Sequence, residues 1–279
     1  MKRIINLWPG GTTKALTMSY DDGVGQDKRL VQIFNKYKLR ATFNINSGMQ
    51  DKSSQWVTNG KVIKRINANE IKEVYKGHEV AIHSLSHPHL EDLSRELVIK
   101  EIFGDRKNLE KICGYIVRGM AYPFGTYNET VLEVLKTCGV EYSRTVKEHE
   151  TFSLPENYLK WCPTCHHKNS KLMDLAKKFI NNKFESQSQS QSLFYVWGHS
   201  FEFAIDDNWN IIEEFAEVVG NRKDIWYATN IEIVDYQNAL KTLKYSADYS
   251  MVYNPSSFTV WINVDGQNII IKSGETIDI

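Results

Sequence analysis

Two histidines four residues apart, His83 and His87, are the residues of this sequence best placed to bind a metal ion. Imidazoles at this spacing converge on one point if the segment turns helically, and histidine is the commonest metal ligand in proteins. Ser84 stands where the H-E-x-x-H pattern of zinc proteases needs glutamate. Taken alone, the pair is more typical of two histidines that cap or line a surface loop.

A pair of adjacent carboxylates, Asp21 and Asp22, precedes Gly23 at the end of a β-prone run. One interpretation is a turn that exposes two charges. The other is that one carboxylate completes an open His-His-Asp metal site, which leaves positions for water and substrate. The neighbouring carboxylate is then available for proton transfer.

Two further segments end predicted strands. Tyr122-Pro-Phe-Gly125 is either a plain turn or a turn that points a backbone N–H at a developing oxyanion. Val196-Trp-Gly-His-Ser200 places His199 at the same face as the other candidates. The alternative interpretation of His199 is a core histidine whose hydrogen bonds are satisfied.

Trp161-Cys-Pro-Thr-Cys165 has neither a thioredoxin-like surrounding pattern nor a second cysteine pair. We interpret it as a loop that borders the active site.

Strands alternate with helices along most of the chain, which predicts a parallel sheet in a barrel or a doubly wound layer. Such sheets carry functional groups where strands end and loops begin, and the segments above other than Trp161–Cys165 fall at such ends. The predicted strands are 15–20, 41–45, 79–82, 115–117, 141–146, 193–198 and 225–228. The predicted helices are 27–38, 69–76, 94–113, 129–138, 209–219 and 231–244.

The last part of the chain has a different pattern. After about Ser246 the helices stop, and residues 257–272 read as a β-hairpin around Asp265-Gly266. We therefore expect a catalytic domain over residues 1–245 and a small β-rich appendage over 246–279. The low-complexity run Ser186–Ser192 is predicted to be a solvated loop.

The bulk properties fit one large α/β domain with an appendage in 279 residues. Lys plus Arg and Asp plus Glu both number 34, so there is no electrostatic case for nucleic acid or an anionic membrane. We expect a small-molecule or oligosaccharide partner, and the sequence does not indicate the oligomeric state. No signal-peptide or membrane-spanning run is visible, and four cysteines are too few for a disulfide framework. These features predict a cytoplasmic protein, unless an export segment has been removed.

Taken together, the motifs resemble the polysaccharide deacetylase family with the NodB homology domain, carbohydrate esterase family 4. Ser19-Tyr-Asp-Asp-Gly23 is similar to the first family motif, and His83-Ser-Leu-Ser-His87 matches the second. Tyr122–Gly125 is similar to the third and Trp197-Gly-His199 to the last. They occur in family order. The resemblance implies an α/β fold, a distorted (β/α) barrel, and hydrolysis of an N- or O-acetyl group on a saccharide.

The resemblance also implies roles for individual residues. Asp22, His83 and His87 would be ligands of one divalent metal, for which Zn²⁺ is expected and Co²⁺, Ni²⁺ or Mn²⁺ would also suit. Asp21 would be the general base and His199 the general acid. The Phe124 amide, together with the metal, would stabilise the oxyanion. Trp197 would form a wall of the pocket that receives the acetyl methyl group. The expected substrate contacts are Tyr122, Pro123, Phe124, Trp197, Trp161, His166 and Arg118.

Two parts of the family pattern are changed. The third motif usually has arginine two residues before proline, where this sequence has Ala121. Either Arg118 reaches that place from a different strand register, or nothing replaces it. The fourth motif, D-x-x-D-W, is absent, so Tyr158 or Trp161 would supply its aromatic wall. Candidates for the partner that tunes His199 are His166, His167 and Glu202.

Three alternatives to sugar deacetylation remain. One is a metal-dependent amidase that acts on a non-sugar C–N bond in the same superfamily. An iron(II) oxygenase also uses two histidines and a carboxylate, but such oxygenases are antiparallel barrels, unlike the alternation seen here. A carbohydrate-binding protein without catalysis is disfavoured because Asp21 and His199 are both present.

Overall fold

The computed structural model describes residues 2–51, 54–181 and 191–279. The low-complexity segment therefore lies outside the described residues except for Gln191 and Ser192. The strands are β1 (Ile4–Leu7), β2 (Lys14–Asp21), β3 (Ala41–Ile45), β4 (Gln55–Thr58), β5 (Lys61–Lys64), β6 (Glu79–Ile82), β7 (Gly119–Ala121), β8 (Tyr142–Arg144), β9 (Cys165–His166), β10 (Ser192–Gly198), β11 (Ile225–Tyr227), β12 (Lys244–Tyr245), β13 (Met251–Tyr253), β14 (Val260–Val264), β15 (Gln267–Ile271) and β16 (Thr276–Asp278).

Eight α-helices accompany these strands in the described part of the chain. They are α1 (Asp27–Lys36), α2 (Ile71–Val74), α3 (Arg95–Cys113), α4 (Glu129–Thr137), α5 (Leu172–Asn181), α6 (Ser200–Ile205), α7 (Asn210–Val219) and α8 (Asn230–Lys241). None of the helices described is long and apolar enough to cross a lipid bilayer.

The central sheet is parallel and curled, with strand order β8-β7-β6-β3-β2-β10-β9. Strand β11 pairs with the first half of β2, and β3 pairs with its second half. The edge strands β8 and β9 are not paired with each other in the described residues. The loop between them bonds to β8 through Trp161 N to Ser143 O (3.0 Å) and to β10 through Thr164 N to Tyr195 O (2.8 Å). The predicted distorted (β/α) barrel is thereby confirmed as an open barrel.

In strand β2 the alternation of side chains places apolar residues outside the barrel and small or polar residues inside it. Successive side chains point to opposite faces of a strand. Leu16, Met18 and Tyr20 pack outward in the core formed with the helices. The inward row is small or polar and ends at the carboxylate of the last residue; its members are Ala15, Thr17, Ser19 and Asp21. All of these side chains are buried, so Asp21 enters the barrel interior at the carboxyl end of the strand.

One strand lies four residues later than predicted. The apolar run Tyr115–Val117 favoured a strand there, but Tyr115 and Ile116 are exposed and the strand is Gly119–Ala121. A Cβ on Gly119 would lie 2.1 Å from Cζ of Tyr142, so only glycine allows this close packing of β7 on β8. Packing against a neighbouring strand, rather than local β-propensity, therefore sets this element.

The predicted C-terminal hairpin is present as β14 and β15, joined at Asp265 and Gly266. Its sheet also contains β1, which pairs antiparallel with β14. This sheet packs against α8, and the Tyr236 hydroxyl donates to Leu7 O (2.8 Å) while accepting from Trp261 N (3.1 Å). The appendage expected over 246–279 thus shares its sheet with the first strand of the chain.

Candidate active site

The residues that could do chemistry meet at the carboxyl edge of the parallel sheet. Asp21 ends β2 and Asp22 follows it, His83 follows β6, and His199 follows β10. Strand ends at this edge of a (β/α) barrel face one another across the barrel mouth, so residues distant in sequence become neighbours.

Asp22, His83 and His87 form a cluster that could hold a metal ion. One ligand atom from each lies within 4.8 Å of the others. The Nδ1 of His83 lies 2.8 Å from Ala121 O, and a carbonyl can only accept, so Nδ1 carries the proton. The Nε2 lone pair of His83 is therefore free for an ion, as a backbone partner usually arranges for a ligating histidine. Two imidazoles and one carboxylate fit an open, zinc-type donor set.

The backbone around this cluster is strained. Asp22, Ser84 and His87 have φ values of 80°, 62° and 59°, in the left-handed region that residues other than glycine seldom adopt. Such strain persists only where surrounding contacts hold it, and it concentrates at functional sites. One such contact is the bond from His87 N to Ser84 Oγ (3.1 Å).

Asp21 is a buried carboxylate beside the cluster. It accepts hydrogen bonds from Asn44 Nδ2 (2.8 Å) and from the guanidinium of Arg144. Its Oδ2 lies 3.9 Å from Nε2 of His83 and 3.9 Å from Nε2 of His199. Burial raises the pKa of Asp21, but Arg144, then the two histidines, lower it more, to about 2. The group is therefore ionised at neutral pH.

Arg144, and not Arg118, is the arginine that lies beside Asp21, which corrects the expectation for the third motif. Arg118 precedes β7 and so lies at the amino edge of the sheet, where it pairs with Glu141 (3.0 Å) and Asp235 (2.7 Å). Arg144 is the last residue of β8, at the carboxyl edge, and its fully buried guanidinium contacts Asp21. Asp21 thus does have an arginine partner, from the strand next to β7. A basic residue within the predicted strand 141–146 was the available signal.

His199 lies between two carboxylates. Its Nδ1 is 3.4 Å from Oε2 of Glu202, and its Nε2 faces Asp21. Burial lowers the pKa of His199, but the bond to Glu202 and the charges of Asp21 and Asp22 raise it more, to about 9. The imidazole is therefore protonated at neutral pH. Of the three candidates for tuning His199, Glu202 is the one that contacts it directly.

A second cluster, formed by His166, His199 and Glu202, also brings possible ligand atoms within 4.8 Å. His166 differs from His83 in its tautomer, because its Nδ1 accepts a hydrogen bond from Lys168 N (3.0 Å). The proton of His166 is therefore on Nε2, which lies 3.2 Å from Oε2 of Glu202. Such a nitrogen has no lone pair for an ion. We interpret this cluster as a hydrogen-bonded support for His199.

Glu202 is the centre of this support. Besides His166 and His199, Nε2 of the buried His167 lies 3.2 Å from Oε2, and Lys168 Nζ lies 3.3 Å from Oε1. Burial raises the pKa of Glu202, but the bonds from the three histidines lower it far more. The carboxylate is therefore ionised beside the imidazolium of His199.

The expected substrate contacts divide into two groups. Phe124 is half exposed beside the cluster, with its ring centroid 4.6 Å from that of His87 and 3.8 Å from that of His89. Trp197 is largely buried, and Cζ of Arg144 lies 4.3 Å from its ring centroid. His166 packs edge-on against Trp197 (4.6 Å). These side chains lie close to the acid, base or ligand residues.

The second group is buried in the fold. Trp161 is only 1% exposed and packs among Tyr142, Tyr158 and Tyr195. The Tyr122 hydroxyl donates to Leu159 O (2.8 Å), and Pro123 is buried. Trp161 and Tyr122 therefore support the loops around the site, which corrects their expected role as substrate contacts.

The fold and site together define a parallel (β/α) barrel whose candidate acid, base and metal-ligand side chains converge at its carboxyl edge. Residues 10–143 match the family model described as polysaccharide deacetylase. The resemblance inferred from the motifs is therefore confirmed over this part of the chain.

Two curated relatives are similar over part of their length. The peptidoglycan-N-acetylglucosamine deacetylase PgdA of Listeria monocytogenes is 25% identical over 134 residues, which cover 47% of this chain and 26% of PgdA. The probable 4-deoxy-4-formamido-L-arabinose-phosphoundecaprenol deformylase ArnD of Wigglesworthia glossinidia brevipalpis is 30% identical over 145 residues, covering 47% and 50%. The chain thus spans about a quarter to a half of the relatives it matches.

Solved structures extend the likeness in fold. A Mycobacterium smegmatis protein assigned to the polysaccharide deacetylases has a TM-score of 0.60 at 17% identity, over 85% of this chain and 94% of that one. A family 4 acetyl xylan esterase from Clostridium thermocellum, in complex with a cobalt ion, has a TM-score of 0.50 at 15% identity, over 81% and 92%. Both support the barrel fold, including the part of this chain beyond the family match.

Proposed function

We propose that this protein hydrolyses an N- or O-acetyl group on a saccharide with the help of one divalent metal ion. The ion would be held by Asp22, His83 and His87. The carrying observation is that a cluster with a free imidazole lone pair lies beside an ionised Asp21 and a protonated His199. Groups whose surroundings push their pKa values apart are suited to act as base and acid.

When bound, such an ion lowers the pKa of a coordinated water and polarises the acyl carbonyl. Asp21 accepts the proton of the attacking water. A carboxylate with a pKa of about 2 is a weak base, but it is always ionised and its position is fixed by Arg144 and Asn44. His199 then donates its proton to the departing nitrogen or oxygen, and Glu202 stabilises the imidazolium before transfer.

The family resemblance and the position of Phe124 support a role for its backbone amide at the developing oxyanion. Phe124 has a φ of 58°, so the backbone at this turn is held in an unusual conformation. Trp197, behind His199 and Arg144, would wall the pocket for the acetyl methyl group. Removal of a formyl group is the second candidate, because the relative at 30% identity is named a deformylase.

The test is acyl release from a panel of acetylated and formylated saccharides and simple amides. Protein stripped with a chelator should be inactive, and Zn²⁺ or Co²⁺ should restore turnover at one ion per chain by elemental analysis. Turnover of acetylated sugars in preference to simple amides supports the proposal. Activity that is indifferent to strong chelators, in protein without bound metal, would remove it.

Glu202→Gln should shift the basic limb of the pH profile of kcat/KM to lower pH. A general acid works while protonated, so activity falls as pH rises through its pKa. Glu202 helps to raise the pKa of His199, and the neutral amide removes that charge. Glu214→Gln on α7 is the matched control and should leave the limb in place. An unchanged basic limb in Glu202→Gln would show that Glu202 does not raise the pKa of the general acid.

A further inference from the structure

We infer that Arg65 is a positioning residue that sets the geometry of the metal ligand Asp22, an inference that rests on the proposed function. Arg65 directly follows the β4–β5 hairpin, an element that none of the sequence motifs includes. The residue is buried although it carries a full positive charge. A buried arginine beside a cation site needs a reason, because its charge repels the ion.

The first observation concerns the strained backbone of Asp22, whose φ is 80°. Its amide donates to Asn44 O (3.0 Å). Its carbonyl accepts from Gln50 Nε2 (3.1 Å) and from Nη1 of Arg65. Two buried donors on one carbonyl fix the peptide plane after Asp22, and with it the direction in which the side chain leaves the backbone.

The second observation concerns the carboxylate itself. Both Nη1 and Nη2 of Arg65 lie 3.4 Å from Oδ1 of Asp22, and Nη1 also donates to Asn46 Oδ1 (3.0 Å). One guanidinium therefore spans the carbonyl and one carboxylate oxygen of the same residue. This leaves the other carboxylate oxygen, Oδ2, as the better placed ligand atom.

The third observation is how Arg65 is held. Its Cζ lies 5.1 Å from the ring centroid of Trp56 on β4, and that ring packs edge-on against Phe201 of α6 (5.5 Å). The Nε of Arg65 has no hydrogen-bond partner within the described ranges. The guanidinium is thus fixed by its contacts with Asp22 and Asn46 and by the covering tryptophan.

Two effects on metal affinity oppose each other. The positive charge disfavours the ion, whereas a ligand held in place favours it because little ordering remains to be done on binding. We infer that positioning dominates, because two of the four hydrogen bonds of Arg65 go to neutral carbonyl oxygens and serve only geometry. Residues that orient a metal ligand typically contribute about ten- to hundredfold in affinity.

The experiment measures the Zn²⁺ affinity of the full chain by competition with a chromogenic chelator. Arg65→Met should weaken binding about ten- to hundredfold. Arg65→Lys should also weaken it, because a single ammonium keeps the charge but cannot span both acceptors. Saturating Zn²⁺ should return kcat of both variants to within a few-fold of the wild type, since the loss is in binding of the ion.

Arg29→Met is the matched control. Arg29 likewise pairs with a carboxylate, Glu213 (2.9 Å), and covers a tryptophan, Trp209 (4.4 Å), but it forms no ion pair with Asp22 in the described residues. The Zn²⁺ affinity of the Arg29→Met variant should equal that of the wild type. If Arg65→Met does not fold, Arg65→Lys and Gln50→Ala carry the test, and both should weaken binding.

The outcomes separate this inference from the proposed function. Wild-type protein that binds no Zn²⁺ would refute the metal site itself. Wild-type protein that binds Zn²⁺, with an Arg65→Met variant that binds it equally or more tightly, would refute only the inference. Charge repulsion would then be the dominant effect of Arg65.

Discussion

Asp21→Asn is expected to retain the metal while kcat falls about 10²–10⁴-fold, the usual contribution of a general base. The amide keeps the size of the side chain and an acceptor for Asn44 or Arg144, but it cannot take a proton. Kinetics at saturating metal, together with the metal content of the same preparation, measure both effects.

Asp22→Asn is the matched variant, since the two carboxylates are adjacent in sequence. Successive residues leaving a strand point in different directions, so only one is expected to ligate the ion. Its metal affinity should fall, and excess metal should restore part of the activity. A metal-free Asp21→Asn beside a metal-replete Asp22→Asn would reverse the two assignments.

Arg144→Met is expected to lower the free energy of unfolding by about 3–5 kcal/mol, the usual cost of removing one partner of a buried ion pair. Arg144 and Asp21 are both almost fully buried, so the variant leaves a carboxylate without its strongest compensating charge. Urea unfolding of the metal-free protein at neutral pH measures the change.

The double variant Asp21→Asn/Arg144→Met decides whether charge is the cause. Its loss in the free energy of unfolding should be smaller than the sum of the losses of the two single variants, because no buried charge is left uncompensated. Additive costs would mean that Arg144 acts mainly through its packing on Trp197.

The parts of the site that follow a short pattern on one strand end could be predicted from the sequence. Asp22, His83 and His87 meet because parallel strands end at one edge, and that rule needs no knowledge of packing. Strand β2, with its inward polar row ending at Asp21, was located to within one residue at each end.

The parts that depend on contacts between distant strands could not be predicted. Arg144 lies on β8, the strand next to the third motif, and it takes the place of the arginine that the motif lacks. The pairing of β7 with β8 helps to bring Arg144 near Asp21, and a single sequence does not show that pairing. Arg65 lies outside the motifs as well, and Glu202 could be given only as one of three candidates for the partner of His199. The β4–β5 hairpin was not predicted, because its two strands have only four residues each and half of these residues are polar.

The sheet that joins β1 to β14 has a consequence for the order of folding. Arg3 N donates to Asp265 Oδ1 (2.8 Å) across 262 positions of sequence, and β1 has no partner strand nearer in the described chain. Contacts of such long range form late, because the loop they close must be ordered first. During synthesis, Trp8 and Tyr236 would therefore remain uncovered until residues near 260 emerge. A pause in synthesis before residues near 260 emerge should favour aggregation or chaperone capture of the nascent chain.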